Sequence, residues 1–295
     1  CALVRVPEGH ELVVTTDTLN AGVHFPEETA PEAVGHKALA VNLSDLAAAG
    51  AEPAWFTLAL SLPEAESDWA DGFARGLRQL AEDTGLALVG GDTVRGPLAV
   101  TIQALGLVPA GTALNRRGAR PGDGLYVTGT LGDAGLGLRL ALGRSQLDDA
   151  ADAAYLRERL DRPSPRLAAG ARLRAVASAA IDVSDGLAAD LGHLLEASGV
   201  GATVEVEALP LSGPLCAAVA DPQERARLAL ESGDDYELCF TLADADRAVL
   251  DTVAAHCPVT RVGTVEPEPG LRWLWHGTPW QRPVAGFDHF PGGAA

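Results

Sequence analysis

The sequence predicts a layered fold of mixed α+β and α/β character, with an N-terminal β-β-α-β-α-β-β domain followed by a C-terminal α+β sandwich domain. Three observations predict it. The chain has 295 residues, about two average domains. Short apolar runs alternate along it with longer segments of helical spacing. A turn-rich stretch, Pro109-Ala-Gly111 followed by Arg116-Arg-Gly-Ala-Arg-Pro-Gly-Asp123, interrupts the middle, so the boundary is expected near residue 112 and the domains at 1–112 and 113–295.

The elements follow in order. Residues 2–6 and 11–16 read as strands joined by the turn Pro7-Glu-Gly-His10. From Pro31 to Ala49, Val34, Ala38, Val41 and Ala48 recur at helical spacing, and Gly50 stops the helix. Trp55–Leu62 reads as a strand. Ser67 opens a second helix through Trp69, Phe73, Leu77 and Leu80 to Gly85, and strands are expected at Leu86–Val89 and Leu98–Val108. In the second domain, strands are expected at 124–128, 180–183, 202–206, 227–230, 236–241 and 259–265. Helices are expected at 132–142, 163–177 and 187–197.

Charge narrows the function. With 22 Lys+Arg against 40 Asp+Glu the net charge is −18, which repels duplex nucleic acid and anionic membranes and argues against either as main partner. No apolar run approaches the ~18 residues of a membrane span, and no signal peptide is visible. Lys37, the single lysine, stands in Gly35-His-Lys-Ala38 rather than in GxxxxGK[ST], which excludes a Walker-type phosphate loop. The four cysteines show neither CxxC nor zinc spacing and are expected to be reduced and mostly buried in a cytoplasmic protein. Methionine is absent even at position 1, from which the sequence is expected to begin inside a longer chain.

The chemistry is expected in short acidic motifs at strand ends: Thr15-Thr-Asp-Thr18, Gly90-Gly-Asp-Thr93, Ile181-Asp-Val-Ser-Asp-Gly186 and Gly233-Asp-Asp-Tyr236. A fifth, Asn42-Leu-Ser-Asp45, lies in the first helix, where Asn42 and Asp45 share a face. Mg²⁺ takes oxygen ligands from a few carboxylates plus substrate phosphates, and glycines let a phosphate approach the backbone. Any one of these aspartates also reads as a turn former or helix cap. Their recurrence beside Thr, Ser and Gly favours metal-assisted phosphate chemistry. His24, in Gly22-Val-His-Phe25, is close enough in sequence to join the Asp17 motif, or is an ordinary loop histidine. His36 reads as a packing residue. Arg116 and Arg117 are a solvated pair or contacts to nucleotide phosphates. Gly129-Thr-Leu-Gly-Asp-Ala-Gly-Leu-Gly137 is a weak phosphate-loop signal, since glycines also simply permit tight packing.

These motifs, together with Gly35-His-Lys-Ala-Leu-Ala-Val-Asn-Leu-Ser-Asp-Leu46 and Gly286-Phe-Asp-His-Phe290, closely resemble the thiamine-monophosphate kinase family, relatives of aminoimidazole ribonucleotide synthetase, along essentially the whole chain. The resemblance implies ATP-dependent phosphorylation of thiamine monophosphate to thiamine diphosphate by direct in-line transfer. It also implies a homodimer whose N-terminal sheets pair, with the active site near the subunit interface. Thr15, Thr16, Asp17, Asp45, Asp92, Asp182 and Asp185 would hold several Mg²⁺ ions. Gly91, Asp92, Arg116 and Ser184 would contact ATP, with Arg117 the alternative to Arg116; His24, Asp234 and Phe287 would contact the thiamine phosphate. No general base is implied. Family members carry a Gly-Asp-Asp just ahead of the segment that begins here at Cys1, and its aspartate is a further metal ligand. Two other readings stand beside this one: a related ATP-dependent synthetase, and a non-catalytic nucleotide-binding protein.

Overall fold

A computed structural model describes residues 1–280. The chain forms two compact units, Cys1–Ala113 with Asp161–Ala175, and Leu114–Leu160 with the chain from Val176 onward.

The first unit is a four-stranded sheet covered by helices. Its elements run β1 (His10–Asn20), α1 (Pro31–Ala48), β2 (Glu52–Leu62), α2 (Ser67–Thr84), β3 (Ala87–Arg95) and β4 (Ala99–Pro109). The sheet order is β1-β4-β2-β3, so β1 and β3 are its edges. In β4 alternate residues Val100, Ile102, Ala104 and Val108 are buried, which defines the helix-covered face; Thr101, Gln103 and Leu105 face the other way. Helix α1 is apolar almost all round, as a helix enclosed by neighbours must be. Its backbone closes on α2 through two glycines. A Cβ at Gly35 would lie 2.1 Å from the Phe73 carbonyl oxygen, and one at Gly76 1.8 Å from that of Glu32. Lys37 is enclosed here at 1% exposure, and His36 Nε2 meets the Pro163 carbonyl at 3.0 Å, a packing role.

The observed order is β-α-β-α-β-β, not β-β-α-β-α-β-β. Residues 2–6 form no strand: residues 2–5 are exposed, Leu3 completely so, Val6 is half-buried, and among the described residues they have no partner strand. The other strands and helices of this unit begin close to where the periodicity puts them, but β1 runs on to Asn20 and β3 to Arg95, past the expected ends at residues 16 and 89.

The second unit is a seven-stranded mixed sheet. Its elements are β5 (Gly124–Thr128), α3 (Asp133–Ala141), α4 (Ala150–Asp161), β6 (Ala179–Asp182), α6 (Leu187–Ser198), β7 (Gly201–Glu205), α7 (Gly213–Ala218), α8 (Pro222–Glu231), β8 (Leu238–Leu242), α9 (Val249–Ala254), β9 (Val259–Glu266), β10 (Gly270–Trp275) and β11 (Thr278–Pro279); the short α5 (Leu167–Leu173) belongs to the first unit. The strand order is β11-β10-β7-β9-β5-β8-β6. Every residue of β5 and β8 is buried, as central strands covered on both faces require. Residues 227–230, expected as a strand, lie inside α8. Asp221 caps that helix by accepting from the Gln223 N–H, and Pro222 opens it, signals that outweigh the apolar run Leu228-Ala-Leu230. No helix among the described residues is long and apolar enough to cross a membrane. Cys239 and Cys257 are buried, Cys216 partly so and Cys1 exposed.

Candidate functional site

The acidic motifs fall into two groups, one in each unit. In the first unit Asp17 and Asp92 stand inside strands β1 and β3 rather than at strand ends. Strand β1 alternates, so Thr15, Asp17 and Leu19 share the face toward α1 while Thr16 and Thr18 point the other way. The Thr15 hydroxyl donates to the Asp45 carboxylate on α1. Thr15, Asp17 and Asp45 therefore form one oxygen-rich group between strand and helix. Asn42, fully buried, instead donates its side-chain amide back to the Ala38 carbonyl at 3.1 Å.

On the opposite face Thr16 accepts from the Gln103 amide at 3.3 Å, and Thr18 pairs with Thr101 at 2.9 Å. Asp92 is in register with Ala59, which pairs with Thr101 and so puts Asp92 on this same open face. It sits on the other edge strand, exposed, accepting the Thr93 N–H at 2.9 Å. Within one chain it does not join Asp17 and Asp45. Its neighbour Gly91 has a backbone reason for being glycine, because a Cβ would lie 2.1 Å from the Leu58 carbonyl. His24 follows β1 in a tight turn, its Nδ1 accepting from the Asn20 N–H at 3.0 Å.

In the second unit, Asp182 ends β6 and is buried, and the chain turns through Ser184 and Asp185 into α6. The shape of that turn is set by Asp190, a residue the sequence reading passed over. Its carboxylate accepts the N–H groups of Ser184 and Asp185, each at 3.0 Å. Burial pushes the Asp190 carboxyl up to about 7 against those hydrogen bonds. Position was the available signal, an acid in the first turn of a helix that follows Asp-Gly.

The Gly233–Tyr236 segment lies directly against this turn. Asp234 N–H donates to the Ser184 carbonyl at 2.8 Å, Tyr236 N–H to that of Val183 at 2.8 Å, and Val183 N–H to that of Glu237 at 2.8 Å. Asp234 and Tyr236 hold left-handed backbones, φ 68° and 50°, uncommon for residues with a Cβ. The fold thus brings Asp182, Ser184, Asp185 and Asp234 together. Arg116 and Arg117 are both exposed, on a turn tied to β6 by the Ala180 N–H to Asn115 carbonyl bond. Phe287 lies outside the described residues.

The glycine-rich segment after β5 holds no open phosphate cradle. The N–H groups of Gly132 and Ala134, at the start of α3, are taken by the buried Asp235 carboxylate at 2.7 and 3.4 Å. A Cβ at Gly129 would lie 2.0 Å from a Glu237 oxygen. These glycines admit the protein's own acids.

Among the described residues no three His, Cys, Asp or Glu side chains cluster as a metal cage. The donors at Thr15, Asp17 and Asp45 are all hard oxygens. This fits Mg²⁺, which keeps its waters and binds through one or two carboxylates plus substrate phosphates rather than in a protein cage.

The chain matches the AIR synthase related protein family, N-terminal domain over residues 1–108 and C-terminal domain over 120–276. It is 48% identical to the thiamine-monophosphate kinase of Salmonella typhimurium over 98% of this chain and 90% of that protein. The crystal structure of the thiamine-monophosphate kinase from Stenotrophomonas maltophilia superposes with a TM-score of 0.88 at 48% identity, covering 94% of this chain and 88% of that one. A structure of AaThiL complexed with AMPPCP and TMP gives 0.85 at 33% identity, covering 96% and 89%.

Proposed function

The chain belongs to the thiamine-monophosphate kinase family and is an ATP-dependent kinase, and from that premise we propose that it makes thiamine diphosphate by direct, Mg²⁺-assisted in-line transfer of the ATP γ-phosphoryl group to thiamine monophosphate. The observation that carries the metal-assisted route is the Thr15–Asp45 contact, which gathers hard oxygens where β1 meets α1. Thr15, Thr16, Asp17, Asp45, Asp92, Asp182 and Asp185 are the proposed Mg²⁺ ligands. When bound, Mg²⁺ neutralises and aligns two mutually repelling phosphate esters. Gly91, Asp92, Ser184 and Arg116 or Arg117 contact ATP, and His24 and Asp234 orient the acceptor. An acceptor phosphate is already ionised at neutral pH, so no side chain need remove a proton and no general base is assigned.

The proposed enzyme is a cytoplasmic homodimer. The free thiols of Cys1, Cys216 and Cys239 suit a reducing compartment. Exposed Val14 and Val94 on the edge strands of the first sheet suit an open face covered by a second copy. Chromatography of the products from ATP, Mg²⁺ and thiamine monophosphate tests the reaction. Thiamine diphosphate that forms only with Mg²⁺ supports it; ATP binding without that product sinks it. Sedimentation of the wild type and of Val94→Lys tests the dimer, which is refuted if the wild type sediments as a monomer.

A further inference from the structure

Beneath the paired turns lies a buried polar cluster that the proposed reaction leaves without a role. Asp133 and Glu237 are fully buried and Asp235 nearly so, around one cation, Arg159 of α4, whose side chain is 12% exposed. The carboxylates are otherwise supplied with donors. Thr130, Tyr155 and Ser212 donate to Asp133, Thr128 to Glu237, and the α3 amides to Asp235.

The second amino group of Arg159 reaches three acceptors on two segments. It donates to the Glu237 carboxylate at 2.9 Å and to the backbone carbonyls of Asp235 and Thr130, both at 3.3 Å. Its Nε lies 3.7 Å from Asp133. The Asp235 carbonyl is the telling partner, because Asp235 stands between the two left-handed residues Asp234 and Tyr236. Such a turn relaxes unless its surroundings over-determine it. Three backbone hydrogen bonds hold it against Val183 and Ser184, and the Asp235 side chain holds it to α3. Arg159 adds a side-chain donor to the Asp235 carbonyl.

We propose that Arg159 is a positioning residue for the acceptor: anchored by Glu237 and Asp133, its guanidinium clamps the Asp235 carbonyl and keeps Asp234 in the conformation that meets thiamine monophosphate. The substrate half rests on the reading of Asp234 given above; the clamp itself rests on geometry alone. A lysine ammonium keeps the charge but has a single nitrogen on a shorter side chain, so it cannot lie against Asp133 with one group while donating to Glu237 and both carbonyls with another.

Full-length Arg159→Lys, Glu237→Gln and the charge-balanced Arg159→Met/Glu237→Gln are compared with wild type by hydrogen exchange and by steady-state kinetics on the folded fraction. The expected result is faster exchange in the peptide spanning 233–237 and a KM for thiamine monophosphate raised about tenfold in both Arg159 variants, with the KM for ATP within about twofold. Unchanged exchange in Arg159→Lys overturns the proposal. So does a fall in kcat with both KM values unchanged, the mark of a smaller active fraction. Asp234→Asn run in parallel separates the two layers. If it leaves the acceptor KM unchanged while the Arg159 variants still loosen the turn, the clamp stands and the Asp234 reading falls. If it raises that KM while the Arg159 variants do not, the clamp falls.

Discussion

The acids of the first unit and those beneath the turns of the second are treated in opposite ways. In the first, Asp17, Asp45 and Asp92 lie on or between regular elements and are at least partly open to solvent. In the second, Asp133, Asp190, Asp235 and Glu237 are buried and spend their oxygens on the protein's own amides, hydroxyls and one arginine. A solvent-facing carboxylate can meet a cation that keeps its waters; one enclosed among the protein's own donors acts as a brace. Asp234 and Asp235 are neighbours in sequence, yet one sits at the open edge of the turn and the other in its foundation.

The sharpest way to break this contrast is to make the same substitution in both units. Asp45→Asn is expected to lower turnover by two orders of magnitude or more while leaving the melting temperature near that of wild type, because it removes charge rather than volume. Near-normal diphosphate formation at saturating Mg²⁺ would put Asp45 among the braces.

Gly129→Ala probes the enclosed side without touching charge. The new methyl group would strike the Glu237 carboxylate from a backbone at φ 58°, and a loss of about 2–4 kcal/mol in denaturant unfolding is expected. Asp235→Asn should act more gently, and its signature is pH. Burial raises the Asp235 carboxyl well above its ordinary value, with Arg159 opposing. The folded state therefore binds a proton that the unfolded chain gives up. The stability tied to that proton is full below the ordinary carboxylate range and is lost as pH rises through the raised value. Asparagine cannot ionise, so Asp235→Asn should flatten this decline in melting temperature; an unaltered pH profile would show that Asp235 does not carry it. Gly90→Ala completes the comparison from the open side. Its Cβ would meet only the Thr57 methyl at 3.8 Å, and a change within about 0.5 kcal/mol is expected.

Much of the fold was legible because periodicity and capping act locally. Helix α2 announces itself by Trp69, Phe73, Leu77 and Leu80, and Gly85 ends it in a left-handed cap. Residues 2–6 look like a strand to any local rule, but a strand needs a partner, and none adjoins them in the described chain. Residues 227–230 carry strand-like composition overruled by a helix start five residues upstream. The motif aspartates were legible through their Thr, Ser and Gly neighbours. Asp190 left only its first-turn position as a signal, and Arg159 left none, since it works through groups distant in sequence that no short pattern marks.

The enclosure of Lys37 reaches beyond catalysis. It is the only lysine in the sequence and is 1% exposed, so the folded protein offers amine-directed reagents no accessible side chain. Acylation at Lys37 must wait until α1 comes away from its surroundings. The rate of labelling at that side chain, read apart from the α-amine by peptide mass spectrometry, is a built-in clock for the opening of the first unit.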